Sequence, residues 1–228
     1  MMANVNLVKE RYIWRLPVRI YHWINAILVS ILFLTGLYFA SPLFSAPQGG
    51  EATWYHGMAW LRYIHLSSAY LFFANFIFRM YWALFGGDKY ARFGGFKPWK
   101  FKWWGKPFKE QMASYLFLTS KEPHYMGHNP VAAIMYFIFV LCGSIIMIIT
   151  GFALYSENNP GGFLAVLFGW VIPLVGSSYN LHSIHHLTAW LFPVFFITHI
   201  YAVVRHDIVD RTSVTSSMIT GYKVELEE

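Results

Sequence analysis

Charge is what this chain has least of. Of its 228 residues only 12% are Asp, Glu, Lys or Arg, while 57% are hydrophobic and 20% aromatic. Soluble domains carry about 25% charged residues, so this balance excludes an ordinary soluble enzyme and points to a polytopic membrane protein. Cysteine is almost missing as well. The single Cys142 sits in an apolar run, where a thiol acts as a small buried hydrophobe. One cysteine excludes an intrachain disulfide, a Cys-x-x-Cys-His attachment site and an all-cysteine iron–sulfur cluster. A redox cofactor held by this chain alone must therefore be held noncovalently. The segment Met1 to Arg19 carries four basic residues but no small-residue cleavage site after a short apolar run, so no removable signal peptide is expected.

What is present is long apolar stretches. Four are long enough to cross a bilayer, at about 20–40, 59–85, 131–155 and 183–204. No internal repeat is apparent, and residues 1–228 read as a single integral membrane domain. Lys and Arg are absent from Ser41 to Met58 and from Ser156 to His182. Eight lie in the loop 86–130, and the N-terminal segment adds Lys9, Arg11, Arg15 and Arg19. The positive-inside rule then makes the N-terminus, the long loop and the C-terminus cytoplasmic. Within that loop, Pro107 to Leu118 suits a short interfacial helix, with Trp99, Trp103 and Trp104 at headgroup depth. The stretch Gly162 to Pro173 is apolar but too short to span, which suggests a re-entrant or surface helix. The tail 207–228 reads as a short soluble extension.

Ten histidines in so apolar a chain are the compositional anomaly. Imidazole inside lipid is costly and marks a relay or a site more often than chance packing. His185 and His199 are fourteen residues apart on one span. At about 100° per residue that is about 40° short of four turns, so both rings leave one helix face about 21 Å apart. His22 opens the first span on the cytoplasmic side, and His65 opens the second on the outer side. Depth therefore pairs His65 with His185 and His22 with His199. Two pairs at two depths suit two stacked bis-imidazole haems; zinc competes, although a structural zinc site needs four ligands at one depth. Gly36, fourteen residues after His22, returns to the ligand face where a flat macrocycle can approach backbone; a helix–helix contact is the bland alternative.

Several stretches together carry a family resemblance: Pro17-Val-Arg-Ile-Tyr-His-Trp23, Arg62-Tyr-Ile-His65, Gly127-His-Asn-Pro130, Ile149-Thr-Gly-Phe-Ala-Leu-Tyr-Ser156 and His182-Ser-Ile-His185, followed by His199. Over nearly its whole length the chain resembles the b-type cytochrome subunit of membrane-bound nickel–iron uptake hydrogenases. That family is related to the cytochrome subunit of formate dehydrogenase. The resemblance implies an all-α four-helix membrane bundle holding two b haems. It implies a place in the cytoplasmic (inner) membrane, and transfer of electrons from the hydrogenase small subunit, and through it the large subunit, to quinone. Hydrogen cleavage would then belong to the partner subunits. His65 and His185 match the ligands of the outer haem, His22 and His199 those of the inner one. His186 is about 140° out of phase with His199 and is the less favoured ligand.

Other residues are weaker candidates. Arg62, close to His65, and Arg79, fourteen residues beyond it, are placed to pair with haem propionates. Arg205 is expected to snorkel to the cytoplasmic interface. His56 and His182 read as outer-surface residues near the approach of a partner. His124, His128, Asn129 and His206 gather titratable and polar groups near the inner haem, where quinone reduction would take up protons. Asn129 before Pro130 is also an ordinary helix cap. Quinone, lipid and hydrogenase are the expected partners, and no nucleic acid is. The equivalent subunit of another dehydrogenase, a free-standing di-haem cytochrome, and a proton-relaying transporter or membrane anchor remain alternatives.

Overall fold

The structure is a computed structural model that describes residues 8–41, 56–92, 104–119, 123, 125, 127–210 and 213–226. It is mostly helical. In lipid every backbone polar group must be satisfied internally, and a helix does so within one segment. Three helical segments are long and apolar enough to cross a membrane: Leu16–Ala40, Pro130–Ser156 and Ser178–Val209. The first is α1 (Leu16–Ala40), followed by α2 (Gly57–Phe85). At 29 residues α2 has the length to span, but Arg62, His65, Asn75, Arg79 and its tyrosines and tryptophans lower its hydropathy, and it is not among the three. The short α3 (Lys106–Tyr115) falls where the interfacial helix was expected; Trp99 and Trp103 lie outside the described residues.

The third span is not one regular helix. It begins as α4 (Pro130–Met135), runs as a π-helix over Tyr136–Cys142, and resumes as α5 (Gly143–Ser156). Nothing in its apolar sequence marks the π segment, a form found mostly at functional sites. Asn129 caps its start, its side-chain oxygen accepting from the Ala132 N–H at 2.8 Å. Then come α6 (Phe163–Phe168) and α7 (Val171–Val175), the two pieces of the apolar surface segment, and the long α8 (Ser178–Asp210). Pro193 inside α8 has no N–H, so one rung of the helix ladder is missing.

The chain divides into two compact units. The first comprises Met1–His22, Phe78–Cys142 and Pro193–Glu228. In it the expected soluble tail is replaced by folded structure: α8 continues to Asp210, and α9 (Val214–Thr220) and strand β2 (Tyr222–Leu226) follow. Strand β2 pairs antiparallel with β1 (Val8–Tyr12), Tyr12 opposite Tyr222 and Val8 opposite Leu226. The turn into β2 needs glycine, because Gly221 has φ +91° and a Cβ there would strike the Tyr12 ring. Arg19 donates to the Ile219 carbonyl, and Lys223 Nζ donates to the Tyr125 carbonyl at 2.9 Å. Ile13, Trp14, Val18 and Ala91 form the buried cluster of this unit.

The second unit comprises Trp23–Ile77 and Gly143–Phe192. Its buried cluster is Ala153, Val171 and Leu181, which seats α7 against α5 and the start of α8. Phe152 stacks on Phe168 at 5.2 Å. The opposite face of α6 and α7 is open, with Phe163, Val166 and Leu174 exposed.

Candidate functional site

The second unit holds a cavity of about 770 Å³, bounded by α1, α2, α5 and α8, within the about 300–1,000 Å³ of small-molecule and cofactor sites. His65 and His185 both line it, together with Gly36, Gly151 and Arg62. Gly36 faces His65: a Cβ there would meet its Cε1 at 3.5 Å. Gly151 does the same for the other histidine, its Cβ position being 3.3 Å from His185 Cε1. Each ring also meets a hydroxyl, His65 Nδ1 with Thr35 Oγ1 at 2.7 Å and His185 Nδ1 with Thr150 Oγ1 at 2.7 Å. Thr35, Thr150 and Gly151 were not among the candidates the sequence suggested. The signal available was the Thr-Gly dipeptide, which stands at 35–36 in the first span and at 150–151 in the third, with one further copy, Thr220-Gly221, outside the spans. His186 also lines the cavity, but its ring packs against Trp190 at 6.4 Å. Exposed His182 lines it too, and its Nδ1 donates to the Ser178 carbonyl at 3.0 Å.

The first unit brings together the other pair. The His22 and His199 ring centroids are 6.2 Å apart. Two metal–nitrogen bonds of about 2 Å, with about 1 Å from each nitrogen to its ring centre, give about 6 Å between imidazoles facing across one metal ion. Phe195 stacks on His199 at 5.5 Å with planes 15° apart, and Phe139 stacks on Phe195 at 5.8 Å. Arg79 is buried, its guanidinium over the rings of Tyr21 at 5.7 Å and Tyr136 at 5.8 Å. Its Nη2 donates to the Ala91 carbonyl at 2.9 Å, while Nη1 has no hydrogen-bond partner among the described residues. A buried guanidinium with an unused donor fits an anionic group such as a propionate. Among the described residues no three His, Cys, Asp or Glu gather to hold a metal ion, so the zinc reading finds no ligand set.

The polar candidates of the long loop separate. His124 lies outside the described residues. His128 packs edge-on to Trp14 at 5.3 Å and near Tyr136 at 5.8 Å. With Arg79, Tyr90 and Tyr136 it borders a cavity of about 20 Å³, room for about one water molecule. Burial, aided by the charges of Arg79 and His199, pushes His128 down to about 4, so it is neutral at physiological pH. Asn129 is engaged structurally: besides capping α4, its amide donates to the Tyr115 hydroxyl at 2.6 Å. His206 is buried on α8. Arg205 does not snorkel. It is buried, donates through Nη2 to the Ser114 carbonyl at 2.6 Å, and stands over the Phe117 ring at 5.0 Å. The Ser114 carbonyl in the last turn of α3 also accepts from the Phe117 N–H at 3.0 Å, and a cation near a helix C-terminus complements its dipole.

Imidazole pairs inside apolar helices, with glycine where a flat ring would press on backbone, are the means by which b-type cytochromes hold haem. That is the class this fold and these sites define. The sequence profile of the prokaryotic cytochrome b561 family matches residues 13–221. A probable Ni/Fe-hydrogenase B-type cytochrome subunit of Cupriavidus necator is 38% identical over 224 residues, 97% of this chain and 90% of that protein. A protein of the same description in Rhodobacter capsulatus is 41% identical over 213 residues, 93% of this chain and 80% of that one. A probable Ni/Fe-hydrogenase 1 B-type cytochrome subunit of Escherichia coli is 37% identical over 230 residues, covering 98% and 94%. The chain belongs to this family of prokaryotic b-type cytochromes.

Proposed function

We propose that this chain anchors a nickel–iron hydrogenase to the cytoplasmic membrane and carries its electrons, through two bis-histidine b haems, to quinone. The observation that carries this reading is the imidazole pair His22 and His199, 6.2 Å between ring centroids, with a second pair, His65 and His185, lining one cavity. Haem iron supplies one-electron exchange at a potential set by its axial ligands and their hydrogen bonds. His65 and His185 are assigned to the outer haem, His22 and His199 to the inner one. Arg62 and Arg79 neutralise propionates, and Gly36 and Gly151 keep side chains off the macrocycle. The names of the relatives favour hydrogenase over a formate-type dehydrogenase or a free-standing cytochrome as the source of electrons.

Four crossings rather than three are proposed, with α2 as the fourth. Strands β1 and β2, from opposite ends of the chain, pair with each other. An odd number of crossings would leave them on opposite sides of the bilayer. The basic residues before and at the start of α1, and the basic loop, support the cytoplasm as that shared side. Electrons enter at the outer face from the small subunit and leave beside His199. There His128, neutral and bordering a water-sized cavity, relays protons from the cytoplasm to quinone, with His124 near it in sequence, His206 on the helix of His199, and Asn129 holding the loop. Protons taken up inside and released outside by hydrogen oxidation build a membrane potential without an ion pump.

The test uses the intact hydrogenase complex in membranes. Hydrogen should reduce the b haems, and added quinone should reoxidise them. In His128→Ala, hydrogen should still reduce both haems while reoxidation slows. Haems that stay oxidised under hydrogen in an active complex would refute the proposed electron source.

A further inference from the structure

The outer pair of histidines is held twice over in the same way. Thr35 and His65 sit on α1 and α2, and Thr150 and His185 sit on α5 and α8. In each case the threonine oxygen is 2.7 Å from ring Nδ1, and the glycine after the threonine faces the ring Cε1. Each hydroxyl is also 2.7 Å from the carbonyl four residues back, Ile31 for Thr35 and Ile146 for Thr150. A carbonyl oxygen only accepts, so the single hydroxyl proton must point at it. The hydroxyl oxygen is then left as an acceptor, and the proton in the second contact belongs to the imidazole Nδ1. With Nδ1 protonated, the lone pair of the neutral ring lies on Nε2.

We propose that Thr35 and Thr150 are positioning residues of the outer haem site: each accepts the Nδ1–H of its histidine, which presents Nε2 as the iron ligand, fixes the ring plane and strengthens the nitrogen as a donor. The glycines Gly36 and Gly151 are the other half of the device: a Cβ would come into ordinary contact with the held ring at Gly36, 3.5 Å, and would crowd it at Gly151, 3.3 Å. Accepting the Nδ1 proton raises ligand basicity and favours the oxidised metal, so the hydroxyls lower the potential of this haem. The inner pair is oriented by other means, His199 by the stacked ring of Phe195. The inference rests on His65 and His185 being the outer ligands, and the experiment separates the two claims.

Thr35→Val and Thr150→Val, singly and together, keep side-chain shape but remove the acceptor; Thr→Ser at each site restores it. Optical redox titration of the haems in the membrane complex should show one midpoint rising in each Val variant and rising further in the double variant. The other haem should be unmoved and the Ser variants close to wild type. The low-spin electron paramagnetic resonance signal of the same haem should shift with the freed ring plane. Loss of the haem in Val but not in Ser would equally support a need for the hydroxyl. Unshifted midpoints and signals in the double Val variant, or the same change in Val and Ser, would overturn the proposal. His65→Met and His185→Met run alongside: retention of both haems in these would show instead that the ligand assignment has failed.

Discussion

A hydroxyl proton and the absence of a methyl group decide much at the residue scale. Gly36 and Gly151 both face a histidine ring, but not equally: the added Cβ would lie at 3.5 Å from His65 and at 3.3 Å from His185. The first is ordinary contact, and the second requires the ring to give. Gly36→Ala should therefore retain the outer haem, Gly151→Ala should weaken it, and Leu at either position should expel it, read as haem content of the purified protein. Equal tolerance of Leu at both sites would mean that the glycines serve helix packing alone. That His22 meets His199, and Gly36 meets His65, was legible in the sequence from shared depth and from fourteen residues being nearly a whole number of turns. Thr35 and Thr150 were not, since threonine in an apolar helix commonly bonds back to its own carbonyls, and that local bond hides the second one. The buried state of Arg205 was equally illegible: its partner Ser114 lies 91 residues away.

Among the elements, the spans follow the hydrophobic pattern closely, because lipid punishes any other backbone arrangement. The expected third span, 131–155, is Pro130–Ser156. The fourth was expected at 183–204 but extends over Ser178–Asp210, since polar residues at both ends continue the helix beyond the apolar stretch. The π segment escaped because a shift in hydrogen-bond register leaves no trace in hydropathy. The third span starts at Asn129, which caps α4 through Oδ1 and ties it to α3 through Nδ2. Asn129→Ala should cost about 1 kcal/mol as a lost cap, plus the tether to Tyr115. Tyr115→Phe keeps the cap and loses the tether, so thermal unfolding in detergent should rank wild type above Tyr115→Phe above Asn129→Ala. Coincident melting of the two variants would assign the whole effect to the tether.

For the molecule as a whole, the proposed topology rests on two independent features. One is the placement of positive charge, clear in the sequence; the other is the pairing of β1 with β2, which no local pattern announces. Reporter fusions at both termini and in the loop 86–130 should report the cytoplasm, while fusions within 41–56 and 156–177 should report the outer side. A reversed signal from the C-terminus would mean an odd number of crossings and would remove α2 as a span. The proposed occupancy is two haems per chain, each between two histidines. The ratio of b haem to protein in the purified chain, determined spectroscopically in wild type, His22→Met and His65→Met, decides it. Two haems per chain are expected in the wild type and one in each variant, with the remaining haem differing spectrally between them. A single haem in the wild type, or loss of the same haem in both variants, would contradict it.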